Sequence, residues 1–480
     1  MRNDTMEVHP LVQAAGEFPN NPALIYNEGS LNYSELLDKA ESLTDAFLAS
    51  GVKPGDIICL DDLSPVEMII SIWACSLNSI RVFPLNTRHP ISSLKSIFQK
   101  IHPRLVISNR DLIPGLSVAY AELDSAVRNK LAKQTAFHGD DPATLLMTSG
   151  SSASSKIVQH SHKNHISSAL GSNLNIPLSQ KDRWLLTLPL YHVGSLSILY
   201  RTTLAGAAVV IPNSHDSILK SISDLQISHV SLVATQFQRI LEDSTAIHPL
   251  RKMKAILLGG SAIPKDLIQT ALAHELPVYV SYGSTEMASQ VCTTTSSHRA
   301  EALTSSGTLL ANRDLVISHE GEILVKGDTL AQGYLDGNDL INLRDKEGWF
   351  HTGDVGYVDP QGALTVTGRM DNQFVSGGEN IQPEHIENIL NKIPDIAQAI
   401  VLPQSDDEFG KRPVAFLQLI NTNISLEELE KNLRKSLPGY MIPIAFYRLP
   451  EHLTTDLIKI SRHEISKYVL DPNNHLHPLE

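Results

Sequence analysis

The sequence predicts an α/β protein: a large N-terminal domain of layered α/β subdomains with a small β-rich module, then a small α+β C-terminal domain. Three observations predict it. Short apolar runs alternate with helical patterns as far as Gly283, the rhythm of strands and helices around a parallel sheet. From residue 300 to 370 that rhythm gives way to short alternating runs separated by glycines such as Gly307, Gly321, Gly327 and Gly333. Beyond residue 371 a mixed pattern returns, in which the helix-like Leu426–Leu433 is broken by Leu437-Pro438-Gly439-Tyr440. The expected division is therefore 1–371 and 372–480.

Taken in order, Ser34 is placed to cap a helix whose apolar positions are Leu36, Leu37, Ala40, Leu43 and Phe47, with Gly51 as its stop. Pro54-Gly55-Asp56 then turns the chain into a strand at Ile57–Leu60. A helix follows Pro65, a strand follows at Arg81–Leu85, and a further helix begins near Ser92. The strands expected next are Ala143–Met147, Trp184–Leu188, Ala207–Ile211, Val230–Val233, Ala255–Leu258 and Val278–Tyr282. Ligands of such sheets sit at the carboxyl ends of the strands. Here those ends read Thr148-Ser149-Gly150, Pro189-Leu190-Tyr191-His192, Gly259-Gly260-Ser261 and Tyr282-Gly283-Ser284-Thr285-Glu286, and their convergence on one crevice is the expectation.

Composition narrows the function. A chain of 480 residues with 42% hydrophobic and 19% charged residues is ordinary for soluble globular proteins and too long for one core. A net charge of −13 argues against a broad nucleic-acid face. No apolar run approaches the roughly 20 residues of a membrane span. Met1–Glu7 lacks the basic-then-apolar pattern of a secretory leader. Cys59, Cys75 and Cys292 lie far apart without metal-ligand spacing and fit a reducing compartment. The balance points to a cytoplasmic enzyme of small molecules; a homo-oligomer stays open.

The stretch Leu145–Lys156 joins an apolar run to a loop of hydroxyls and small residues that closes on a lysine. Such a loop suits phosphate oxygens, because small residues let the backbone approach and Lys156 supplies a point charge. It also suits a plain serine-rich connection. The histidines of His160-Ser161-His162-Lys163-Asn164-His165 have no acidic or cysteine partner beside them, and Ser161 reads better as a helix cap. Glu286 after Ser284-Thr285 offers the oxygen ligands that Mg²⁺ prefers, or an acid at a helix start. Asp354, between Gly353 and Gly356, could hold two ribose hydroxyls or turn amides. Arg369 could meet a phosphate or a surface acid. Lys459 is, by composition, one lysine among many.

Together and in this order, these residues resemble the AMP-forming acyl-CoA synthetases, the family that includes firefly luciferase and nonribosomal-peptide adenylation domains. The resemblance spans essentially the whole chain. Thr148–Val158 is similar to the family's phosphate loop, which gives Thr148, Ser149, Gly150, Ser151, Ser152 and Lys156 a nucleotide role. Tyr282, Gly283, Ser284, Thr285 and Glu286 resemble the adenine and Mg²⁺ motif, with Gly259, Gly260 and Ser261 on the same side. Thr352-Gly353-Asp354 resembles the ribose motif, and Arg369 with Asp371 the catalytic arginine and hinge. Gly377 and Gly378 fall in the loop that opens the C-terminal domain and lines the CoA channel, and Lys459 falls where the family keeps its adenylation lysine. The resemblance implies ATP, Mg²⁺ and CoA, an acyl adenylate, and then a thioester.

Departures are confined. Ala153 and Ile157 stand where the family usually has glycine, Ser154-Ser155 where it has lysine-proline, and Asn372-Gln373 after the hinge. A loop without those glycines is stiffer. Asp182–Leu196 and Ser281–Gln290 most resemble the 2-succinylbenzoate–CoA ligases of menaquinone biosynthesis. That resemblance puts His192 at the border of the acyl pocket, where a satisfied structural histidine is the alternative. A substrate with a second carboxylate needs a cation or several donors at the far end of the pocket, for which Arg201 and Gln290 are candidates, Arg201 being equally readable as a surface residue. Two alternatives are a ligase for another aromatic or medium-chain acid and a degenerate nucleotide-binding homologue.

Overall fold

The computed structural model describes residues 8–87, 91–110, 116–125, 137–148, 156–295, 303–420, 425–450, 462–470 and 478–479. Its N-terminal part holds two large sheets with helices between them. A nine-stranded sheet has a parallel centre, in which Arg183–Leu185, His229–Leu232, Ala255–Leu258 and Val278–Ser284 lie side by side. Antiparallel strands finish its two margins, Ser289–Thr293 and then Thr308–Leu309 at one and Gly29–Asn32 at the other. The central strands His229–Leu232 and Ala255–Leu258 are buried along their whole length, as burial under helices requires.

The second sheet has eight strands and corrects one expectation. Pro142–Met147 does not continue the run of parallel strands that leads to Val278–Ser284. It pairs in parallel with Arg81–Pro84 in the other sheet, and Ile157–Ser161 folds back antiparallel beside it. The Ile157–Ser161 strand went unread because its polar Gln159, His160 and Ser161 mask five buried positions in a row. Ile157, which replaces a family glycine, is therefore a core residue, packed with Leu145 and Leu335.

One hydrophobic core takes side chains from both sheets (Ile58, Val82 and Leu146; Trp184, Val209 and Tyr279) and from the helices between them. Those helices include Tyr33–Ala49, Pro65–Ser76, His162–Asn175 and Val193–Ala205. The first is capped by Asn32, not Ser34: Asn32 Oδ1 accepts from the Glu35 amide and Glu35 Oε2 from the Asn32 amide, both at 2.8 Å. An asparagine cap with a glutamate three residues on satisfies two orphan amides at once, which Ser34 could not do. The expected strand Trp184–Leu188 is shorter, Arg183–Leu185, and the chain leaves it ahead of Pro189.

The β-rich module is a four-stranded antiparallel sheet of Arg313–Ile317, Glu322–Gly327, Phe350–Val358 and Leu364–Arg369. Asp354 is not in a turn. It lies inside the nine-residue strand Phe350–Val358, where Gly353 at φ +70° bends the chain. Beyond it, the long hairpin Ile396–Asp406 and Gly410–Leu419 is joined by Phe446–Arg448 and packed by Pro383–Leu390, Leu426–Arg434 and Arg462–Leu470. The cores under this hairpin draw on residues from Phe374 onward, so the C-terminal part has a hydrophobic interior of its own. Among the described residues no helix is long and apolar enough to cross a membrane.

Candidate active site

The loop after Pro142–Met147 is closed at its base: the Thr148 amide donates to the Lys156 carbonyl at 2.9 Å and the Lys156 amide to Thr148 Oγ1 at 3.3 Å. Ser149, Gly150, Ser151 and Ser152, with Ala153, Ser154 and Ser155, lie outside the described residues, as does Lys459. Lys156 Nζ stands over the ring of Tyr334, 4.6 Å from its centroid. The Tyr334 hydroxyl in turn donates to Glu286 Oε1 at 2.8 Å. Burial and the Glu286 carboxylate hold that phenol well above its ordinary pKa, so it stays a donor. Tyr334 thus links the two sequence-predicted residues Lys156 and Glu286, and reasoning from sequence missed it. The signal was faint: Tyr334 sits on Gly333–Asp336, which pairs with the unread strand Ile157–Ser161.

Glu286 sits in a tight hairpin between Val278–Ser284 and Ser289–Thr293. Gly283 is required there, because a Cβ on it would lie 2.0 Å from the Ser289 carbonyl oxygen. Ala288 and Ser289 adopt positive φ, 50° and 111°, so the hairpin stores backbone strain beside the glutamate. It is held from below by the histidines. His160 Nε2 donates to the Thr285 carbonyl at 2.7 Å, which fixes its tautomer and makes Nδ1 an acceptor for Thr144 Oγ1 at 3.4 Å. Thr144 then accepts from His165 Nε2 at 2.8 Å, and the His165 ring stacks on Tyr200 at 4.8 Å. These histidines are buried, and burial keeps them neutral: His160 is pushed down to about 4 and His165 well below its usual value.

Tyr282 and Asp354 meet: the tyrosine hydroxyl donates to Asp354 Oδ2 at 2.6 Å, and Arg369 Nη1 donates to Asp354 Oδ1 at 3.1 Å. Arg369 also donates to the Thr352 carbonyl and to both oxygens of Asp371. Burial opposes the guanidinium charge, but Asp371 and Asp354 outweigh it and hold its pKa above the ordinary value. Gly353 is needed under this arginine, since a Cβ there would approach Nη2 to 2.9 Å. A second residue the sequence did not announce is Glu322, whose Oε1 accepts from the Gly353 amide at 2.9 Å while Oε2 faces His351 Nδ1 at 2.8 Å. Gly259 makes room for Ser281, whose Oγ would lie 2.6 Å from an added Cβ, and Gly260 takes φ +82°.

At the far side, His192 is the N-cap residue of Val193–Ala205, with its ring 4.7 Å from that of Tyr191. Arg201, two and a half turns along that helix, is 1% exposed. Its Nη2 donates to Ser289 Oγ at 3.1 Å and its guanidinium faces the Trp184 ring at 5.3 Å, while Nε and Nη1 have no partner. Burial and the neighbouring Arg313 lower its pKa to about 9, so it is a cation at neutral pH. Gln290, the residue after Ser289, is buried; its Nε2 donates to Thr293 Oγ1 at 2.7 Å and its Oε1 has no partner among the described residues. In the C-terminal part, Gly377 and Gly378 make the turn of a hairpin at φ +57° and +87°, and the Gly377 amide donates to the Phe409 carbonyl.

Compared with known proteins, the sequence matches the AMP-binding enzymes over residues 11–335 and their C-terminal domain over residues 385–469. The chain belongs to this family. It is 32% identical to the 2-succinylbenzoate–CoA ligase of Bacillus licheniformis, over 95% of this chain and 99% of that protein. With the Escherichia coli ligase of that name it shares 31% identity, over 93% of this chain and 95% of the relative. Among solved structures, the Bacillus subtilis o-succinylbenzoate CoA synthetase holding its acyl-adenylate intermediate superposes with a TM-score of 0.86 at 29% identity, covering 94% of this chain and 96% of that one. The same enzyme with ATP and a magnesium ion gives 0.84 at 29% identity, over 92% and 95%.

As an AMP-binding enzyme, the chain brings Thr148, Lys156, Tyr282, Glu286, Asp354 and Arg369 together from strands of three sheets, not from the ends of one. It settles Arg201 as an interior residue and not a surface one. Glu286, beside the hydroxyls of Ser284 and Thr285, is an all-oxygen donor set that suits Mg²⁺ completed by substrate phosphates.

Proposed function

We propose that this chain is an ATP-dependent ligase that converts 2-succinylbenzoate to its CoA thioester through an acyl adenylate, as a cytoplasmic enzyme of menaquinone biosynthesis. The observation that carries the choice of acid is Arg201. A buried guanidinium with two unpartnered N–H-bearing nitrogens and, among the described residues, no carboxylate paired with it is costly unless a ligand completes it. A substrate that keeps one carboxylate after the other has reacted supplies that anion, and the flat Trp184 ring beside Arg201 suits an aromatic acid. The flexible succinyl arm is the end that reaches the nucleotide, with His192 at the pocket wall and Gln290 and Ser289 at its far end.

The chemistry follows from the nucleotide end. An oxygen of the succinyl carboxylate attacks the α-phosphorus of ATP, the bond to the bridging oxygen breaks, and pyrophosphate leaves. Charge grows on the α-phosphate oxygens, and Lys459, with Thr148, Ser149, Gly150, Ser151, Ser152 and Lys156 around the phosphates, stabilises it. Glu286 holds Mg²⁺, which when bound neutralises phosphate charge. Tyr282, Gly259, Gly260 and Ser261 border the adenine, and Asp354 accepts from the ribose hydroxyls. In the second step the CoA sulfur attacks the acyl carbon, AMP leaves, and the thiol proton passes to solvent. The domains are 1–371 and 372–480; rotation at Asp371 withdraws Lys459 and brings Gly377 and Gly378 to the CoA channel.

Thioester formation with ATP, Mg²⁺ and CoA, run side by side on 2-succinylbenzoate, benzoate, a hydroxycinnamate and octanoate, tests this. Preference for 2-succinylbenzoate is expected. Preference for another acid would keep the mechanism and discard the substrate, and no turnover with ATP still bound would discard both.

A further inference from the structure

A second buried arginine neighbours the first. Arg313 is 5% exposed, and it reaches the next residue of the strand that Arg201 reaches: Arg201 bonds Ser289 Oγ, and Arg313 Nε donates to the Gln290 carbonyl at 2.7 Å. Its other nitrogens donate to the Ala311 carbonyl at 2.6 Å and to the carbonyl and Oγ of Ser168 at 3.4 and 3.2 Å. Every partner is neutral. Among the described residues no carboxylate pairs with either arginine, so two guanidinium charges sit in one interior region uncompensated, at a cost that burial makes large.

The helix His162–Asn175 is shaped to admit this charge. Gly171 is interior to it, where glycine is less favourable than alanine. An added Cβ would lie 2.5 Å from Arg313 Nη1 and 2.8 Å from the Ala311 carbonyl oxygen. The glycine is therefore the gap in which the guanidinium lies. If the carbonyl cage served only to pin the chain, a neutral donor would do so without the electrostatic cost.

We infer that Arg313 is a specificity-determining residue: held out of contact by its cage of carbonyls, it adds a second positive charge beside Arg201 and so selects acids that carry a further carboxylate. This inference rests on the proposed substrate. Before an acid binds, the two cations repel each other, and the repulsion contributes to the lowered pKa of Arg201. A carboxylate on Arg201 relieves it and is attracted by both charges in a medium that screens weakly. An acid without that carboxylate gains nothing from Arg313.

The test compares kcat/KM on 2-succinylbenzoate and on 4-oxo-4-phenylbutanoate, the same acid without the ring carboxylate, in the full-length enzyme. Turnover of the second acid reports that each variant is folded. Arg313→Gln, which keeps donors and loses the charge, is expected to cut the preference for the dicarboxylate about tenfold while leaving the monocarboxylate unchanged. Arg313→Lys, which keeps the charge, is expected to retain most of it. Gly171→Ala, which crowds the guanidinium out of its place, is expected to shift the preference in the direction of the Gln variant. Equal losses on both acids, or a Lys variant as indiscriminate as Gln, would overturn the role of Arg313 alone. A wild-type enzyme with no preference for the dicarboxylate would overturn the proposed substrate, and this inference with it.

Discussion

The nucleotide end and the acyl end of the site are built on opposite principles. At the nucleotide end three of the described charges are already answered: Asp354 by Tyr282 and Arg369, Arg369 by Asp371, and Glu286 by the Tyr334 hydroxyl. At the acyl end, among the described residues, Arg201 and Arg313 have only neutral partners, and two nitrogens of Arg201 have none. A network complete before binding costs little to hold in place and is preorganised for a common ligand. A pocket that leaves a charge unanswered is stable only at a cost, and it returns that cost when the right anion arrives. Generality and selectivity are thus written into one molecule as satisfied and unsatisfied electrostatics.

The largest effect that would separate the two ends concerns Lys459. Lys459→Ala should lower adenylate formation by about a thousandfold or more, because a point charge aimed at the developing phosphate charge is lost. Thioester formation from supplied acyl adenylate should be largely intact. Equal loss of both steps, measured by pyrophosphate release and by thioester yield, would sink the assignment of Lys459 to the first step.

Arg201→Met sharpens the contrast directly. On 2-succinylbenzoate kcat/KM should fall about a hundredfold, the cost of leaving a buried anion without its partner. The free protein should become more stable, because an uncompensated interior charge has been replaced by an apolar chain of similar length. A melting temperature that drops along with activity would mean that Arg201 is structural, and the acyl end would lose its special status.

Tyr334→Phe probes the satisfied end with a smaller expected effect. It removes one hydrogen bond to a carboxylate and leaves the ring under Lys156, so kcat/KM for ATP should fall about tenfold, the worth of a charge-assisted bond. The change should be the same with every acid. A loss that depends on which acid is used would mean that the two ends are not independent.

These residues also mark where the sequence was legible. The motif residues of the nucleotide end could be read because together, and in order, they resemble the family's motifs, and the structure brings Thr148, Lys156, Tyr282, Glu286, Asp354 and Arg369 into one region. What sequence could not give was the sheet to which Pro142–Met147 belongs, since a strand that is apolar on both faces does not name its neighbours. Tyr334 and Glu322 were invisible for a related reason: each acts through a partner far away in the chain, Glu286 or Gly353, and nothing local distinguishes it. Arg313 was likewise silent, and Arg201 undecided, because an arginine on a helix reads as a surface residue until packing shows otherwise.

The two ends are joined by the buried histidines, and this gives the smallest and most diffuse effect, on stability and not on rate. His165 stacks on Tyr200, the neighbour of Arg201, and His160 holds the carbonyl of Thr285, the neighbour of Glu286. Burial lowers His160 and His162 to about 4 and holds His9 and His165 well below their ordinary value. Unfolded, each would take up a proton as the pH falls through about 6.5; folded, His160 and His162 do so only near pH 4. Between those limits the unfolded state binds more protons, so stability must decline with falling pH, by up to about 1.4 kcal/mol per pH unit for each such histidine. Urea midpoints at pH 7, 6 and 5 should therefore fall steadily. His165→Gln, which keeps a donor for Thr144 and cannot titrate, should fall less steeply than the wild type. Parallel slopes for the two proteins would mean that His165 takes up its proton in the folded state, and the Thr144 bridge between the acyl and nucleotide ends would then lack the fixed tautomers that define it.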